Sequence, residues 1–319
     1  MIQKSRFLVV LVLGFTTLGL IMAGCAAPSP VASPIPSPQT SASSPPVSSP
    51  TASAGTLPEI DHVVIVVEEN KPASSILGNA DAPYFNKLAA DNALATNYQA
   101  ATHPSLPNYL ALTSGTTAGI KDDCSPGADC TARVPSIADT IEKAGRTWKM
   151  YAESMPAPCT AKNSGLYAVK HNPFMYYPGV TDNRASCEAH VVPFTQLSDD
   201  LKSAASLPNY VFISPNLCND MHDCPVSTGD AWLSEQVPKI LDSPAFTTKN
   251  SLLVITWDEG KGDNNAVSTV FAGPAARRSH ESSVAYSHYS LLHTIEILWG
   301  LEPLTDKDKN AAVMTDMLK

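Results

Sequence analysis

The sequence predicts an α/β domain with a central, mostly parallel sheet flanked by helices. Apolar runs such as 63–67 and 252–257 are continuous rather than alternating, which suits strands buried on both faces of a parallel sheet. Helical patterns separate the runs, as in α/β proteins. Three runs also end in acidic or amide side chains. Ligands bind at the carboxyl ends of such strands, so these side chains predict a metal site.

The predicted elements alternate along the chain from residue 63 to residue 299. Strands are expected at 63–67, 94–98, 147–151, 210–213, 251–257 and 267–272. Helices are expected at 82–92, 105–114, 136–144, 229–241 and 289–299. The segment 153–192 shows no clear period, and we expect an irregular excursion that forms a lid or a wall over the site.

Residues 1–24 have the features of a secretory signal. Lys4 and Arg6 precede an apolar run at 7–22 that is too short and wrongly flanked for a membrane span. The residues ending at Cys25 resemble a bacterial lipobox, which implies cleavage before Cys25 and lipid attachment to it. We therefore expect a lipid anchor at the extracytoplasmic face of a bacterial cell membrane. The alternative is an ordinary signal peptide with Cys25 idle.

Residues 25–56 are dominated by Pro, Ser, Ala and Thr, which offer nothing to bury, and they are expected to form a disordered tether. Residues 57–319 then form one domain of ordinary size for a large α/β enzyme. The chain has 21 Lys and Arg against 30 Asp and Glu, a net charge of −9. This acidic balance argues against nucleic acid as a partner.

The predicted domain contains all the cysteines except Cys25. Their even number and the expected export predict disulfides. The connectivity is open from sequence, and proximity along the chain favours Cys124 with Cys130, Cys159 with Cys187, and Cys218 with Cys224. A soft-metal site is the alternative for the last pair, but the CxxC spacing is missing.

The side chains at the three strand ends are candidate metal ligands. They are Glu69 and Asn70 after the first run, Asp220, His222 and Asp223 after the run at 210–213, and Asp258 and Glu259 after the run at 251–257. Hard carboxylate and amide oxygens hold divalent cations. The set predicts a divalent metal ion, with Ca, Mg, Mn, Fe and Zn all compatible.

Ser105 is the candidate nucleophile. Pro104 and Pro107 favour a helix that starts there, and Gly115 favours its end. The free N–H groups of a helix start attract an anion, while a hydroxyl needs a base or a metal to become a nucleophile. The alternative role for Ser105 is a helix cap.

Two histidines are candidates for catalysis. His222 and His288 could bind a second metal ion or protonate a leaving group as general acid. The remaining histidines outside the Ser105 motif are expected to be structural; they are His62, His171, His190, His280 and His293.

Five ordered motifs resemble the phosphoesterase family of bacterial and fungal acid phosphatases and phospholipases C, within the alkaline phosphatase superfamily. They lie at 64–70, 82–88, 103–109, 257–260 and 287–292, and the resemblance covers residues 60–302. It implies an alkaline-phosphatase-like sandwich and a catalytic domain at 57–319.

The resemblance also implies site roles. In the family a Glu-Asn pair binds metal, a Ser or Thr attacks phosphorus, and late acidic residues complete the metal site. The matching residues here are Glu69, Asn70, Ser105, Asp258 and Glu259. Asp220, His222 and His288 match positions that hold the other ion in two-zinc relatives, which have Asp-His in place of Asp258-Glu259. His103 is placed to contact phosphate, and Lys121 and Asp122 fall near a phosphate-contacting Asn of those relatives.

These observations predict an exported phosphatase that hydrolyses small phosphate monoesters through a phosphoserine at Ser105. One alternative is a phosphodiesterase of the phospholipase C type, in which aromatic residues cage a choline cation. Candidates for that cage are Tyr167, Phe174, Tyr176 and Tyr177. Another is a non-catalytic surface-binding lipoprotein, which leaves the clustered carboxylates unexplained because buried charges are costly.

Overall fold

The computed structural model describes residues 58–262 and 264–319, with an eight-stranded sheet at their centre. The strands are β1 His62–Glu68, β2 Ala93–Ala95, β3 Tyr98–Gln99, β4 Trp148–Ala152, β5 Val191–Pro193, β6 Tyr210–Ser214, β7 Ser251–Trp257, β8 Thr269–Ala272, β9 His280–Ser282 and β10 Tyr286–Ser287. The sheet order is β5-β4-β6-β1-β7-β8-β2-β9, and β10 pairs separately with β3. The predicted signal, the lipidated Cys25 and the tether lie outside the described residues.

Strands β5, β4, β6, β1 and β7 are mutually parallel, and β8 runs antiparallel to β7 and β2. Every residue of β1, β6 and β7 is buried, as their continuous apolar sequences predict. The prediction of a mostly parallel α/β sheet is confirmed. Because β1 lies between β6 and β7, the three strand ends that carry candidate ligands are neighbours.

Helices pack against the sheet. They are α1 Pro83–Asp91, α2 Ser105–Ser114, α3 Ile137–Lys143, α4 Pro178–Thr181, α5 Arg184–His190, α6 Leu197–Asp200, α7 Val226–Leu241, α8 Pro244–Thr247, α9 His288–Trp299 and α10 Asp306–Lys309. Helix α2 is buried along its whole length, and Gly115 ends it with a positive φ of 67°, as expected of a glycine cap. Within residues 58–262 and 264–319, no helix is long and apolar enough to cross a membrane.

The irregular segment 153–192 folds into short helices and turns. All three predicted disulfides are confirmed: Cys124–Cys130, Cys159–Cys187 and Cys218–Cys224. The four candidate cage aromatics are 2% exposed or less, and Phe174 packs between Trp148 and Phe212. They form part of the core, so these four residues do not build the choline cage that the diester alternative requires.

Candidate active site

Three carboxylates meet at the carboxyl edge of the sheet. Glu69 follows β1, Asp220 lies in the loop after β6, and Asp258 follows β7; all three are fully buried. The backbone N–H of Glu69 donates to the Asp220 carbonyl at 2.8 Å, and that of Asp258 donates to the Glu68 carbonyl at 2.9 Å. Backbone hydrogen bonds therefore fix these candidate ligands side by side.

Ser105 is the first residue of α2 and is directed at Glu69. Its Oγ donates to Glu69 Oε2 at 3.0 Å. Tyr109, one helical turn later, donates its hydroxyl to Glu69 Oε1 at 2.5 Å, since residues four apart share a helix face. The helix start thus places the predicted nucleophile next to a buried carboxylate that can take its proton.

His171 lies at the centre of the cluster, although the sequence favoured a structural role. Its Nε2 lies 3.3 Å from Glu69 Oε2, and its Nδ1 lies 3.1 Å from Asp220 Oδ2. These approaches are not aligned as hydrogen bonds, and within the described residues His171 Nε2 and Asp220 Oδ2 have no hydrogen-bond partner. Close, unaligned nitrogen and oxygen atoms suit ligands that share a cation rather than a proton.

His222 completes a possible metal-binding triad. The ligand atoms of Glu69, His171 and His222 lie within 4.8 Å of one another. His222 Nδ1 lies 2.6 Å from Asp223 Oδ1, which leaves Nε2 available to the cluster. Asp223, predicted as a metal ligand, is half-exposed and instead contacts His222, in the position of a partner that orients a metal-binding histidine.

Lys170 also reaches this site, although no pattern in the sequence indicated it. Its Nζ donates to Asp123 Oδ2 at 2.8 Å and lies 3.5 Å from His222 Nε2. Asp123 in turn accepts the backbone N–H of Leu106 at 2.9 Å, at the start of α2. The predicted neighbours of the phosphate, Lys121 and Asp122, are exposed; Asp123, the next residue, is the one at the helix start.

The loop after β7 contributes two acidic side chains with different surroundings. Asp258 Oδ1 accepts the backbone N–H of Asn70 at 3.0 Å, while its Oδ2 has no partner among the described residues. Glu259 Oε2 lies 2.5 Å from His103 Nδ1, and the His103 side chain is 45% exposed. Asn70 therefore contributes its backbone N–H to Asp258, and Glu259 pairs with His103 at the mouth of the site.

His288, predicted as a general acid, is not exposed to a leaving group. It is fully buried, with Nε2 2.6 Å from the Asp258 carbonyl oxygen and Nδ1 3.1 Å from the Tyr98 hydroxyl. Burial lowers the pKa of His288 to about 4, and the hydrogen bond to the Asp258 carbonyl opposes that shift. With both nitrogens occupied, the imidazole holds the backbone that carries Asp258.

The electrostatics of the cluster favour neutral acids or a bound cation. Burial, then repulsion from Asp258 and Asp220, raises the pKa of Glu69 well above its ordinary value. Burial and the Glu259 charge raise the pKa of Asp258 to about 8, and burial raises that of Asp220 to about 7. Burial, then the Lys170 charge, lowers the pKa of His171, which therefore stays a neutral ligand.

Comparison with known proteins identifies the family to which this chain belongs. The phosphoesterase family model matches residues 76–302. Phosphatidylinositol-3-phosphatase of Mycobacterium tuberculosis is 39% identical over 267 residues, which cover 83% of this chain and 85% of that protein. Phosphate-repressible acid phosphatase of Penicillium chrysogenum is 34% identical over 243 residues, covering 72% of this chain and 57% of the fungal enzyme.

Solved structures share the fold at low sequence identity. A protein of the alkaline phosphatase superfamily from Vibrio parahaemolyticus has a TM-score of 0.58 at 11% identity, covering 79% of this chain and 69% of that one. Murine ectonucleotide pyrophosphatase/phosphodiesterase 5, in complex with AMP, has a TM-score of 0.57 at 12% identity, covering 81% of this chain and 100% of that one. The chain therefore has the alkaline phosphatase fold and belongs to the phosphoesterase family, whose members are hydrolases of phosphoric esters.

Proposed function

We propose that this protein is an exported, metal-dependent phosphatase that cleaves phosphate monoesters through a phosphoserine at Ser105. The observation that carries the proposal is the Ser105 hydroxyl, which starts a buried helix and donates to Glu69. Relatives named as an acid phosphatase and a phosphatidylinositol phosphatase support a monoester substrate. Export and lipid attachment at Cys25 rest on the first 25 residues of the sequence.

Glu69 acts as the base in the first step. Its Oε2 takes the proton of Ser105 as Oγ attacks phosphorus, and the ester oxygen leaves with its bonding electrons. The Lys170 ammonium, 2.8 Å from Asp123 Oδ2 beside the start of α2, has further hydrogens to offer to the negative charge that develops on the phosphoryl oxygens. Tyr109 holds Glu69 in place during this transfer.

His103 protonates the leaving oxygen. It is two residues from Ser105, partly exposed, and paired through Nδ1 with Glu259, which holds the orientation of the imidazole. In the second step the same imidazole takes a proton from the water that attacks the phosphoserine. Phosphate then leaves, and the Ser105 hydroxyl regains its proton from Glu69.

The donor set fits a divalent cation. Glu69, Asp220 and Asp258 would supply oxygen atoms, and His171 and His222 would supply neutral nitrogen atoms. When bound, the cation supplies positive charge that neutralises the buried acids and stabilises the transition state. Mixed imidazole and carboxylate ligands favour Zn, Fe or Mn over Ca or Mg.

Hydrolysis of p-nitrophenyl phosphate by the purified domain tests the proposal. We expect activity that chelation removes and one restored metal recovers, and a loss of roughly three orders of magnitude or more in Ser105→Ala. Ser251→Ala is the matched control, because Ser251 is a buried serine that begins β7, at the opposite end of that strand from Asp258. A Ser105→Ala variant with most of its activity would remove Ser105 from the mechanism.

The diester alternative has lost its supporting feature, since the aromatic residues that favoured it are in the core. Bis(p-nitrophenyl) phosphate, assayed beside the monoester, separates the two functions. We expect the monoester to be the better substrate by kcat/KM. The reverse order would make the protein a phosphodiesterase that uses the same Ser105 centre.

A further inference from the structure

A cavity of about 530 Å³ opens between the loop after β1 and the start of α7. Its polar lining includes Lys71, Ser74, Ser75, Asn79 and Lys261, and none of the described residues that line it is acidic. The chain has a net charge of −9, whereas this cavity has two lysines and no carboxylate among the described residues of its lining, so its local charge is of the opposite sign. That reversal favours an anionic occupant.

The cavity is built on the same two loops as the catalytic centre. Lys71 comes two residues after Glu69, and Lys261 comes two residues after Glu259. The loops are packed together, since a Cβ added to Gly260 would lie only 3.3 Å from the Pro72 Cα. Both lysines therefore lie at the carboxyl edge of adjacent strands β1 and β7, on the side of α7.

The two lysines are arranged for a ligand rather than for ion pairs. Lys71 Nζ donates to the Met221 carbonyl at 2.6 Å, which fixes the ammonium and leaves two of its hydrogens for another acceptor. Both lysines line the same cavity, so an anion held there would meet two positive charges.

The start of α7 adds a third contribution. Val226, its first residue, lines the cavity, and Pro225 before it offers no side-chain cap. The first turn of α7 also contains no acidic residue. The positive end of its dipole therefore lies beside the same space as the two lysines.

We propose that this cavity binds a second anionic group of the substrate, so that the preferred substrate is a phosphate monoester bearing another phosphoryl group. The proposal rests on the proposed function, because it assumes that Ser105 attacks the first phosphoryl group. It assigns Lys71 and Lys261 to substrate selection and leaves the chemical steps to the catalytic centre.

The test compares fructose 1,6-bisphosphate with p-nitrophenyl phosphate in Lys261→Gln, where the altered side chain is exposed. We expect kcat/KM for the bisphosphate to fall about three- to tenfold, which corresponds to the loss of one partly exposed ion pair. The kcat/KM for p-nitrophenyl phosphate should not change. Lys261→Arg should recover most of the loss. The control is Lys143→Gln on α3, beside the far end of α9. Equal losses on both substrates, or no loss on either, would overturn the proposal.

Two further measurements distinguish the proposed anion subsite from the proposed function and from an effect of the membrane surface. Calorimetric binding of fructose 1,6-bisphosphate to Ser105→Ala needs no turnover, and we expect Lys261→Gln in that background to weaken it several-fold. Unchanged binding refutes the subsite even if the phosphatase activity is absent.

The second measurement compares hydrolysis of soluble inositol 1,3-bisphosphate with that of vesicles containing phosphatidylinositol 3-phosphate. A loss confined to vesicles would assign the lysines to the membrane surface and overturn the proposal.

Discussion

Two groups of acids in this protein are equally buried but contact different neighbours. Glu69 and Asp220 at the carboxyl edge of the sheet, and Glu296 and Asp308 between α9 and α10, are all fully buried. Asp308 accepts the backbone N–H groups of Leu304 and Thr305 at 2.7 and 2.8 Å. At the sheet edge Asp220 likewise accepts a backbone N–H, that of His222 at 2.8 Å, and each group keeps one oxygen without a partner within the described residues, Asp220 Oδ2 and Glu296 Oε2.

The difference shows how a buried acid can be either structural or reactive. Burial and Asp308 raise the pKa of Glu296 to about 8, so a single proton relieves that pair. The sheet-edge cluster also contains His171, a neutral imidazole that contacts two carboxylates without donating in good geometry. One proton cannot satisfy so many acceptors, whereas a divalent cation can.

Among changes that distinguish these two groups of acids, the largest effect is expected from His171→Asn, which removes the central imidazole. We expect kcat/KM for p-nitrophenyl phosphate to fall roughly a hundredfold or more, with less metal retained after gel filtration, because a ligand to the cation is lost. His293→Asn is the matched control, since His293 is a buried histidine whose Nδ1 contacts the Ala311 carbonyl at 2.8 Å. Normal activity and metal content in His171→Asn would exclude a cation at this position.

A smaller effect is expected from Asp223→Asn. This change keeps every proposed metal ligand and weakens only the contact that orients one of them, His222. The amide accepts less strongly from His222 Nδ1, so metal affinity should fall by roughly ten- to a hundredfold while kcat at saturating metal stays close to the original. Activity titrated against buffered metal concentration measures both quantities. Asp122→Asn, an exposed neighbour of Asp123, should leave the titration unchanged. A fall in kcat without a change in metal affinity would place Asp223 in the chemistry instead.

The sequence predicted the strand-end acids because their position depends on sheet topology alone. Continuous apolar runs predict parallel strands, and parallel strands bring their carboxyl ends to one edge. Ser105 was predictable for a similar reason, since its flanking prolines and Gly115 define a helix start and end. The family resemblance carried the assignment of roles to these residues.

His171 and Lys170 could not be predicted in this way. They lie in a 3-10 turn, at 169–171, within a segment that shows no period, and only the tertiary path brings them to Glu69. The predicted strand at 94–98 also divides into β2 and β3, which join different sheets. Strand β9, with the sequence His-Glu-Ser, has no apolar run and forms through pairing with β2.

The smallest expected effect is a gain in stability from Glu296→Gln. The folded protein raises the pKa of Glu296 from 4.5 to about 8, so it prefers the protonated form. Its contribution to stability is therefore present below about pH 4.5 and is lost as the pH rises towards about 8. A neutral glutamine avoids that loss, and we expect Tm to rise by about 2–4 °C near pH 8 and to be unchanged near pH 4. Glu302→Gln, an exposed carboxylate just beyond α9, serves as control in thermal unfolding at both pH values. An equal gain at both pH values would mean that packing rather than a retained proton decides the stability of the Glu296 and Asp308 pair.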